Sequence, residues 1–230
     1  MVKVWVNKQV KEELMEGYND SLIFDILDKN NKSNVKTNVQ DLWRRFGKTS
    51  LNPINEDLLI IAMSVFCADK RIPRIYFNDS WTRYIRINIP VIEIEKWNIV
   101  KENLQTMLNF LTGDNWSFDF RKSINKLRSE KESKYKLINS NKYDGVSLFS
   151  GGLDSYCGAL KLLSEKKNIC FVGFREYGIL SKRQLELFSA LDNYYSNVIK
   201  EILLFNVTPR KPINIPQEMD KFGAENSSRS

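Results

Sequence analysis

The chain has 230 residues, of which 42% are hydrophobic and 27% charged, with a formal net charge of +7. This composition is typical of a globular protein with its own core and excludes a disordered or fibrous chain. The absence of histidine excludes Ser-His-Asp and Cys-His nucleophile systems, HExxH metal sites and histidine bases. No apolar run reaches the roughly 18 residues of a membrane-spanning helix, and three scattered cysteines without metal-binding spacing fit a reducing cytoplasm.

The first half of the chain alternates between strand-like and helical patterns. Asn52-Pro53 predicts a helix start, followed by an apolar stripe from Leu58 to Phe66. A second helical stripe runs from Trp97 to Leu111 through Val100, Leu104, Met107 and Leu108, and it is stopped by Thr112-Gly113-Asp114. Strand-like runs lie at 2–6, 22–27, 81–89 (ended by Pro90) and 116–120. We interpret residues 1–121 as a small α+β domain.

A basic segment follows this domain. Between Arg121 and Lys142 the chain has eight basic and two acidic residues, a net charge of +6. The simplest interpretation of residues 122–142 is a linker or solvated helix face. The alternative is a nucleic-acid contact, or a strip that steers anionic nucleotides, although Tyr135 is the only aromatic ring that could stack on a base.

From residue 143 onward the pattern changes to βαβαβ. Strands are predicted at 146–149, 169–174 and 202–207, separated by amphipathic helices. The first helix is expected to face inward through Leu153, Tyr156, Cys157, Leu160 and Leu163, and the second to begin with a capping box of Ser181 and Gln184. This pattern predicts an α/β domain with a doubly wound parallel sheet, whose ligands bind at the carboxyl ends of the strands. Since no helix is evident after the third strand, we expect the chain to be part of a longer protein.

The first of these strands leads into Ser150-Gly151-Gly152-Leu153-Asp154-Ser155. Glycines let the backbone approach an anion closely, and the amides of the following helix N-terminus attract phosphate. The hydroxyls of Ser150 and Ser155 can donate to the same oxygens, and Asp154 suits a Mg²⁺ ligand beside a polyphosphate. Helix capping alone would also explain Asp and Ser in a first turn. A P-loop at Gly47-Lys48-Thr49 is rejected because Leu42 stands where its first glycine is required.

The six residues from Ser150 to Ser155 resemble the signature of the PP-loop ATP pyrophosphatases, which have an adenine nucleotide α-hydrolase-like fold. The resemblance covers about residues 143–230. Within that family the chain looks most like 7-cyano-7-deazaguanine synthases (QueC-like) and their relatives in bacterial Qat anti-phage systems, through similarities at 58–71, 111–120 and 225–230. It departs from the biosynthetic synthases in lacking their four-cysteine zinc site and in having residues 1–142 before the motif. Both departures favour the defence-type relatives.

The resemblance implies an ATP-dependent adenylating enzyme that forms AMP and pyrophosphate, a ligase or synthase making a C–N bond. It implies that ATP is bound by Ser150, Gly151, Gly152, Leu153, Asp154, Ser155 and Phe174, that Asp154 holds Mg²⁺, and that Asp154, Ser155 and Arg229 serve catalysis. The expected substrate is a deazapurine-like carboxylate or a protein acceptor. The expected setting is a cytoplasmic defence system in which other proteins take part. A homodimer is compatible with the resemblance. The alternatives are a non-catalytic nucleotide- or nucleic-acid-binding subunit and a tRNA-modifying PP-loop enzyme. Residues 1–142 have no assigned role beyond docking.

Overall fold

The architecture is α/β, as seen in a computed structural model that describes residues 1–9, 11–26, 33–47, 51–123 and 137–220. The strands are β1 (Val2–Asn7), β2 (Leu22–Asp25), β3 (Val35–Thr37), β4 (Tyr84–Val91), β5 (Asn115–Lys122), β6 (Gly145–Leu148), β7 (Ile169–Phe174), β8 (Lys200–Phe205) and β9 (Val207–Pro209). The helices are α1 (Val39–Arg44), α2 (Pro53–Arg71), α3 (Ile94–Ile99), α4 (Lys101–Thr112), α5 (Leu153–Ser164) and α6 (Gly178–Tyr194). Short 3₁₀ turns occur at Arg74–Tyr76 and Ser140–Lys142.

The chain divides into two units. Unit 1 contains the described residues of Met1–Lys36, Ser50–Arg128 and Thr208–Ser230, and unit 2 contains those of Thr37–Thr49 and Ser129–Val207. Strands β3 and β9 pair in a two-stranded sheet. None of the helices in the described ranges has the length and apolarity needed to cross a membrane.

The sheet of unit 1 has four parallel strands in the order β2-β1-β4-β5. Parallel neighbours need long crossover connections rather than hairpins, so the strand-like runs of the first half belong to an α/β unit and the expectation of an α+β domain is wrong. Strand β4 begins at Tyr84 rather than Trp81 and continues through Pro90. The pairing of β1 with β4 ends at Asn88, which leaves one side of β4 unpaired where the proline lies.

Helix α2 begins as predicted, because the side chain of Asn52 accepts a hydrogen bond from the Ile54 amide and Pro53 occupies the first turn. Its buried face differs from the predicted stripe. Leu58 is exposed, whereas the buried side chains of the helix are Glu56, Asp57, Ile60, Ile61, Met63, Ser64, Cys67 and Ala68. The acidic members are partnered, since Glu56 pairs with Lys8 and Asp57 accepts from the Ile92 and Glu93 amides.

Arg121 is part of the interior of unit 1 rather than of a solvated basic strip. Its guanidinium lies 3.9 Å from the centre of the Trp5 ring, donates to Asn88 and to the Val6 carbonyl, and pairs with Glu12 at 2.6 Å. Residues 124–136, which hold most of the basic segment, lie outside the described residues. The guanidinium of Arg121 therefore stabilises the interior of unit 1 through its ring contact, hydrogen bonds and ion pair.

The sheet of unit 2 consists of three parallel strands, as predicted, and their order is β6-β7-β8. Side chains of α5 and α6 cover one face; the buried cluster there is Phe149, Ala159, Leu163, Ile169, Phe171 and Leu191. On the other face Cys170 and Leu203 pack with Ile138, Leu42 and Phe46, so part of that face is covered by α1 and the segment after residue 136.

Both crossover helices of unit 2 pack on the same face of its sheet. Consecutive strands added in one direction through right-handed crossovers place their helices on one side. The described sheet is therefore wound in one direction, which differs from the doubly wound arrangement that the sequence predicts. Strand β6, which precedes the glycine turn, is consequently an edge strand of the sheet.

Candidate anion-binding site at the glycine turn

The predicted glycine turn lies at the carboxyl end of β6, where the chain reverses into α5. The amide of Phe149 donates to the Val172 carbonyl at 2.8 Å, which extends the pairing with β7 up to the turn. Gly151 then has a φ of +83°, in the left-handed region that other residues rarely adopt. The backbone thus reverses direction at Gly151, and α5 begins at Leu153, with Gly152 as its N-cap.

The two serines of the turn lie together. Ser150 Oγ donates to Ser155 Oγ at 3.1 Å and accepts from the Gly152 amide at 3.3 Å. Ser155 Oγ in turn donates to the Gly152 carbonyl at 3.0 Å. These hydroxyls can rotate to a bound acceptor without moving the backbone, so the turn has two donors beside its amides.

The start of α5 is open to solvent. Gly152 is the N-cap residue, and no side chain within the described part of the chain caps the helix there. The first amides of a helix have no partner within the helix, and Ser150, Gly152, Leu153 and Asp154 are all exposed. Accessible amides at the positive end of a helix dipole form a suitable environment for an anion.

Helix α5 faces inward through a different set of residues than the sequence predicts. Leu153 is 76% exposed and Cys157 is a free, exposed thiol, whereas Ala159 and Leu163 are buried. The prediction that Leu153 and Cys157 belong to the inner face is wrong. Because Leu153 lies beside Asp154 at the helix start, the apolar side chain is available to a ligand or partner rather than to the core.

Gln184 belongs to this site, although its position in the sequence predicts a helix-capping role. The pattern predicts that it caps a helix beginning near Ser181, but α6 begins at Gly178 and both residues lie within it. Gln184 is fully buried beneath the turn, and the carbonyl oxygens of Phe149, Ser150 and Phe174, each 3.2–3.3 Å from its Nε2, share the two N–H donors of that nitrogen. One amide group therefore ties the ends of β6 and β7 together.

Close packing around Gln184 explains two of the glycines. A Cβ at Gly151 would lie 3.1 Å from the Gln184 Cγ. A Cβ at Gly173 would lie 2.8 Å from both the Phe149 carbonyl oxygen and the Leu204 Cδ2. The turn is thus held against α6 and β7 by contacts that no larger residue permits.

Phe174 ends β7 in the same part of unit 2, with its carbonyl bound to Gln184 and its ring 5.8 Å from that of Phe205. The predicted residues from Ser150 to Ser155 and Phe174 are thus gathered at one end of the sheet. Arg229 lies outside the described residues.

Asp154 is exposed in the first turn of α5. No group of three or more potential metal-ligating side chains occurs within the described ranges. Mg²⁺ commonly uses one or two protein carboxylates and takes its other ligands from water and phosphate oxygens, so the donor set of Asp154 with the neighbouring hydroxyls fits a nucleotide-bound magnesium ion.

A surface concavity of about 570 Å³ lies along α6. Its described lining is Ile179, Lys182, Arg183, Glu186 and Leu187. None of the residues predicted to bind a nucleotide contributes to it, so the exposed turn at Ser150–Ser155, and not this concavity, is the better candidate site on chemical grounds.

Comparisons of the chain with protein-family models, with curated proteins and with solved structures find no match. The class of the protein is therefore defined by its architecture, an α/β chain with two parallel sheets and a glycine turn at the end of one of them.

Proposed function

We propose that unit 2 binds ATP as a PP-loop-type domain and that the protein is an adenylating enzyme that converts ATP to AMP and pyrophosphate. The observation that carries the proposal is the turn itself: two glycines, two hydroxyls and an uncapped helix start meet at the carboxyl end of a parallel strand. Ligands of open α/β sheets bind at this end of the strands.

Backbone amides and serine hydroxyls of the turn would both bind the polyphosphate. The amides of Leu153 and Asp154 would bind phosphate oxygens, and Ser150 and Ser155 would each donate one hydrogen bond. Gln184 positions the turn by holding the carbonyls of Phe149 and Ser150 away from the ligand. A carbonyl oxygen aimed at the phosphates would repel them, so this orientation supports anion binding.

Asp154 gives the proposal its catalytic element. A carboxylate beside a bare polyphosphate would repel it, and a magnesium ion shared between the two removes that repulsion. When bound, the magnesium ion would withdraw charge from the departing pyrophosphate. Simple helix capping would leave the carboxylate bonded to its own helix, but no side chain caps α5 among the residues described.

The substrate side of the proposal rests on the family resemblance. A carboxylate of a deazapurine-like molecule, or a protein acceptor, would attack the α phosphorus of ATP and release pyrophosphate. An amine would then displace AMP and form a C–N bond, in an anti-phage setting with further proteins. The expected products distinguish this class from an ordinary ATPase, since bond cleavage between the α and β phosphates gives AMP and pyrophosphate rather than ADP and phosphate.

The experiment measures magnesium-dependent AMP and pyrophosphate formation, with and without 7-carboxy-7-deazaguanine, for the wild type, Asp154→Asn and Glu165→Gln. Asp154→Asn keeps the side-chain shape and removes the charge, and we expect at least about 10²-fold loss of turnover because the metal loses its protein ligand. Glu165 follows the other end of α5 and pairs with Lys167, so Glu165→Gln is the matched control and should retain activity.

Two results would contradict the proposal. Pyrophosphate release by Asp154→Asn at the wild-type rate would remove Asp154 from the chemistry. ATP binding by the wild type without AMP formation, with substrate present, would instead identify a nucleotide-binding subunit.

A further inference from the structure

Helix α4 of unit 1 has a second apolar face, opposite to the one that packs on the sheet. Leu108 is buried against β5, and Gln105 and Asn109 on that side accept hydrogen bonds from the Phe118 and Trp116 amides. The other side exposes large apolar residues, which together with Trp81 and with Ile99 at the end of α3 form what we name the α4 patch. Its members and their exposures are Trp81 (71%), Ile99 (81%), Met107 (49%), Phe110 (87%) and Leu111 (66%).

The apolar stripe from Trp97 to Leu111 predicts one helix, whereas the structure has two, and Met107 and Leu111 of the stripe are exposed. The chain breaks between α3 and α4 at Val100, and α4 then presents only part of its apolar stripe to the sheet. The apolar surface of α4 is wider than one contact requires. Such a helix usually has partners on both sides.

The exposed face of α4 has the spacing of a helix-pairing seam. Val100, Asn103, Met107 and Phe110 are separated by three, four and three residues, the interval at which side chains of two helices interlock. Between Asn103 and Leu111 the helix contains no charged residue. Depletion of charge is characteristic of the centre of a protein interface.

Trp81 extends the α4 patch beyond the end of the helix. Its indole nitrogen lies 3.9 Å from the position that a Cβ of Gly113 would occupy, immediately after α4. Arg74 lies 5.9 Å from the ring and donates to the Trp81 carbonyl, so this exposed side chain is held in place. A fixed, exposed tryptophan is the kind of residue that dominates interface energetics.

The size of the α4 patch matches one half of a protein interface. Taking about 150–250 Å² for a fully exposed aromatic side chain and less for aliphatic ones, the five side chains expose on the order of 600 Å². That is at the upper end of about 300–600 Å² for the largest apolar patch of a typical monomer. With the adjacent uncharged Asn103 and Thr106, it approaches the roughly 800 Å² per partner of a stable complex.

We propose that the α4 patch binds the same patch of a second copy, with the two α4 helices antiparallel across a two-fold axis. A two-fold axis places each central residue against its own copy, so a charged centre would repel itself and an uncharged one is required. The patch meets this requirement. Trp81 lies beyond the C-terminal end of α4 and Ile99 precedes its N-terminal end, so antiparallel packing brings Trp81 against Ile99 of the partner subunit. This dimer does not depend on the proposed ATP chemistry.

The test is the molar mass of the whole chain in solution, by light scattering during gel filtration and by sedimentation over a concentration series. The wild type should have twice the mass of one chain. Phe110→Asp should weaken dimerisation at least about 30-fold, because it buries a charge against its own copy in place of a central aromatic. Leu58→Asp is the matched control, since Leu58 is 56% exposed on α2 and outside the patch, and it should remain a dimer.

A wild type that remains a monomer throughout the concentration series overturns the proposal and points to a different protein as the occupant of the patch. A dimer that Phe110→Asp leaves intact overturns it as well. Circular dichroism shows whether Phe110→Asp is folded; Met107→Cys in a Cys157→Ser background gives a second test that does not depend on it. Oxidation should cross-link this variant into a covalent dimer, and failure to cross-link under conditions where the chain dimerises overturns the antiparallel arrangement.

Discussion

The two parallel sheets differ in how their edge strands are closed. In unit 1 the outer side of β2 is closed by Asn34, which accepts from the Asp25 amide and donates to the Ile23 carbonyl, and by pairing of Ile23 with Ile213. The outer side of β5 is closed by side chains of α4. An exposed strand edge invites association with other chains, and unit 1 leaves neither of its edges in that condition.

Among the described residues of unit 2, side chains close only one edge of the sheet. Asn38 accepts from the Asn206 amide and donates to the Leu204 carbonyl, which covers β8. No described side chain does the same for β6, whose Val146 and Leu148 are 72% and 80% exposed. The strand that leads to the candidate site is thus the least enclosed one. Binding sites are commonly built from the less stable parts of a fold. The closed edges of unit 1 make its sheet rigid, whereas the open edge at β6 leaves the candidate site of unit 2 accessible to solvent.

The largest expected effect comes from removing the buried carboxylate of unit 1. Asp114 is fully buried and accepts hydrogen bonds from Arg74 and from the backbone and guanidinium of Arg83. Asp114→Ala leaves the buried Arg83 without its main partner, and we expect the free energy of unfolding to fall by about 3–5 kcal/mol. In unit 2, Glu186→Ala removes one partner of the solvent-exposed pair Lys182–Glu186 and should cost less than about 1 kcal/mol. Urea unfolding at neutral pH measures both.

The lowered pKa of the Asp114 carboxyl predicts that the free energy of unfolding depends on pH. Burial alone would raise the pKa of Asp114, but hydrogen bonds and charge from Arg83, and the charge of Arg74, outweigh it and hold the pKa below its usual range. Its stabilisation is therefore complete above the unfolded pKa of about 3.9 and is lost as the pH falls through the folded value. The stability gap between wild type and Asp114→Asn should narrow below about pH 4. A gap that stays constant there would mean that the charge of Asp114 is unimportant.

A glycine pair tests how tightly the turn of unit 2 is packed. Gly173→Ala forces a methyl group against the Phe149 carbonyl and should destabilise unit 2 by about 1–3 kcal/mol. Gly158→Ala, in the interior of α5 with no atom within 4 Å of the new methyl, should stabilise by up to about 1 kcal/mol. Thermal unfolding of the two variants gives the comparison. Equal effects of the two substitutions would show that the turn tolerates expansion.

The smallest expected effect is a difference in thiol reactivity. Burial raises the pKa of the Cys67 thiol in unit 1 to about 12, partly offset by Arg71, and burial also raises the pKa of Cys170 in unit 2. Cys157 is exposed and should react first with a thiol reagent, at least about tenfold faster than either. If unit 2 opens more readily, Cys170 should follow before Cys67. Mass spectrometry of labelled peptides gives the order, and labelling of Cys67 ahead of Cys170 would reverse the comparison.

Local signals in the sequence are sufficient for the elements that depend on them. Asn52-Pro53 fixes the start of α2, and the run 169–174 coincides with β7, because capping and strand patterns act within a few residues. The glycine turn is found for the same reason, since its two glycines and two serines are contiguous. These parts of the fold and of the candidate site are predictable without tertiary information.

Long-range packing decides the parts that the sequence does not reveal. Arg121 belongs to a basic run, yet stacks on Trp5, a residue far away in the chain. Gln184 has the spacing of a capping residue, yet lies beneath Ser150, thirty-four positions earlier. The parallel sheet of unit 1 also depends on which strands meet, because its strands at 2–6 and 116–120 alternate in sequence instead of forming the continuous apolar runs that are typical of parallel sheets.

The closure of β2 by Asn34 and of β8 by Asn38 has a consequence for how this sequence can vary during evolution. Each side chain both donates to a strand carbonyl and accepts from a strand amide. Aspartate offers no donor, lysine or arginine no acceptor, and a hydroxyl must do both through one oxygen, whereas an amide side chain carries its donor and its acceptor on two separate atoms. Among descendants of the same ancestral gene, we expect these two positions to remain asparagine or glutamine while neighbouring surface residues drift.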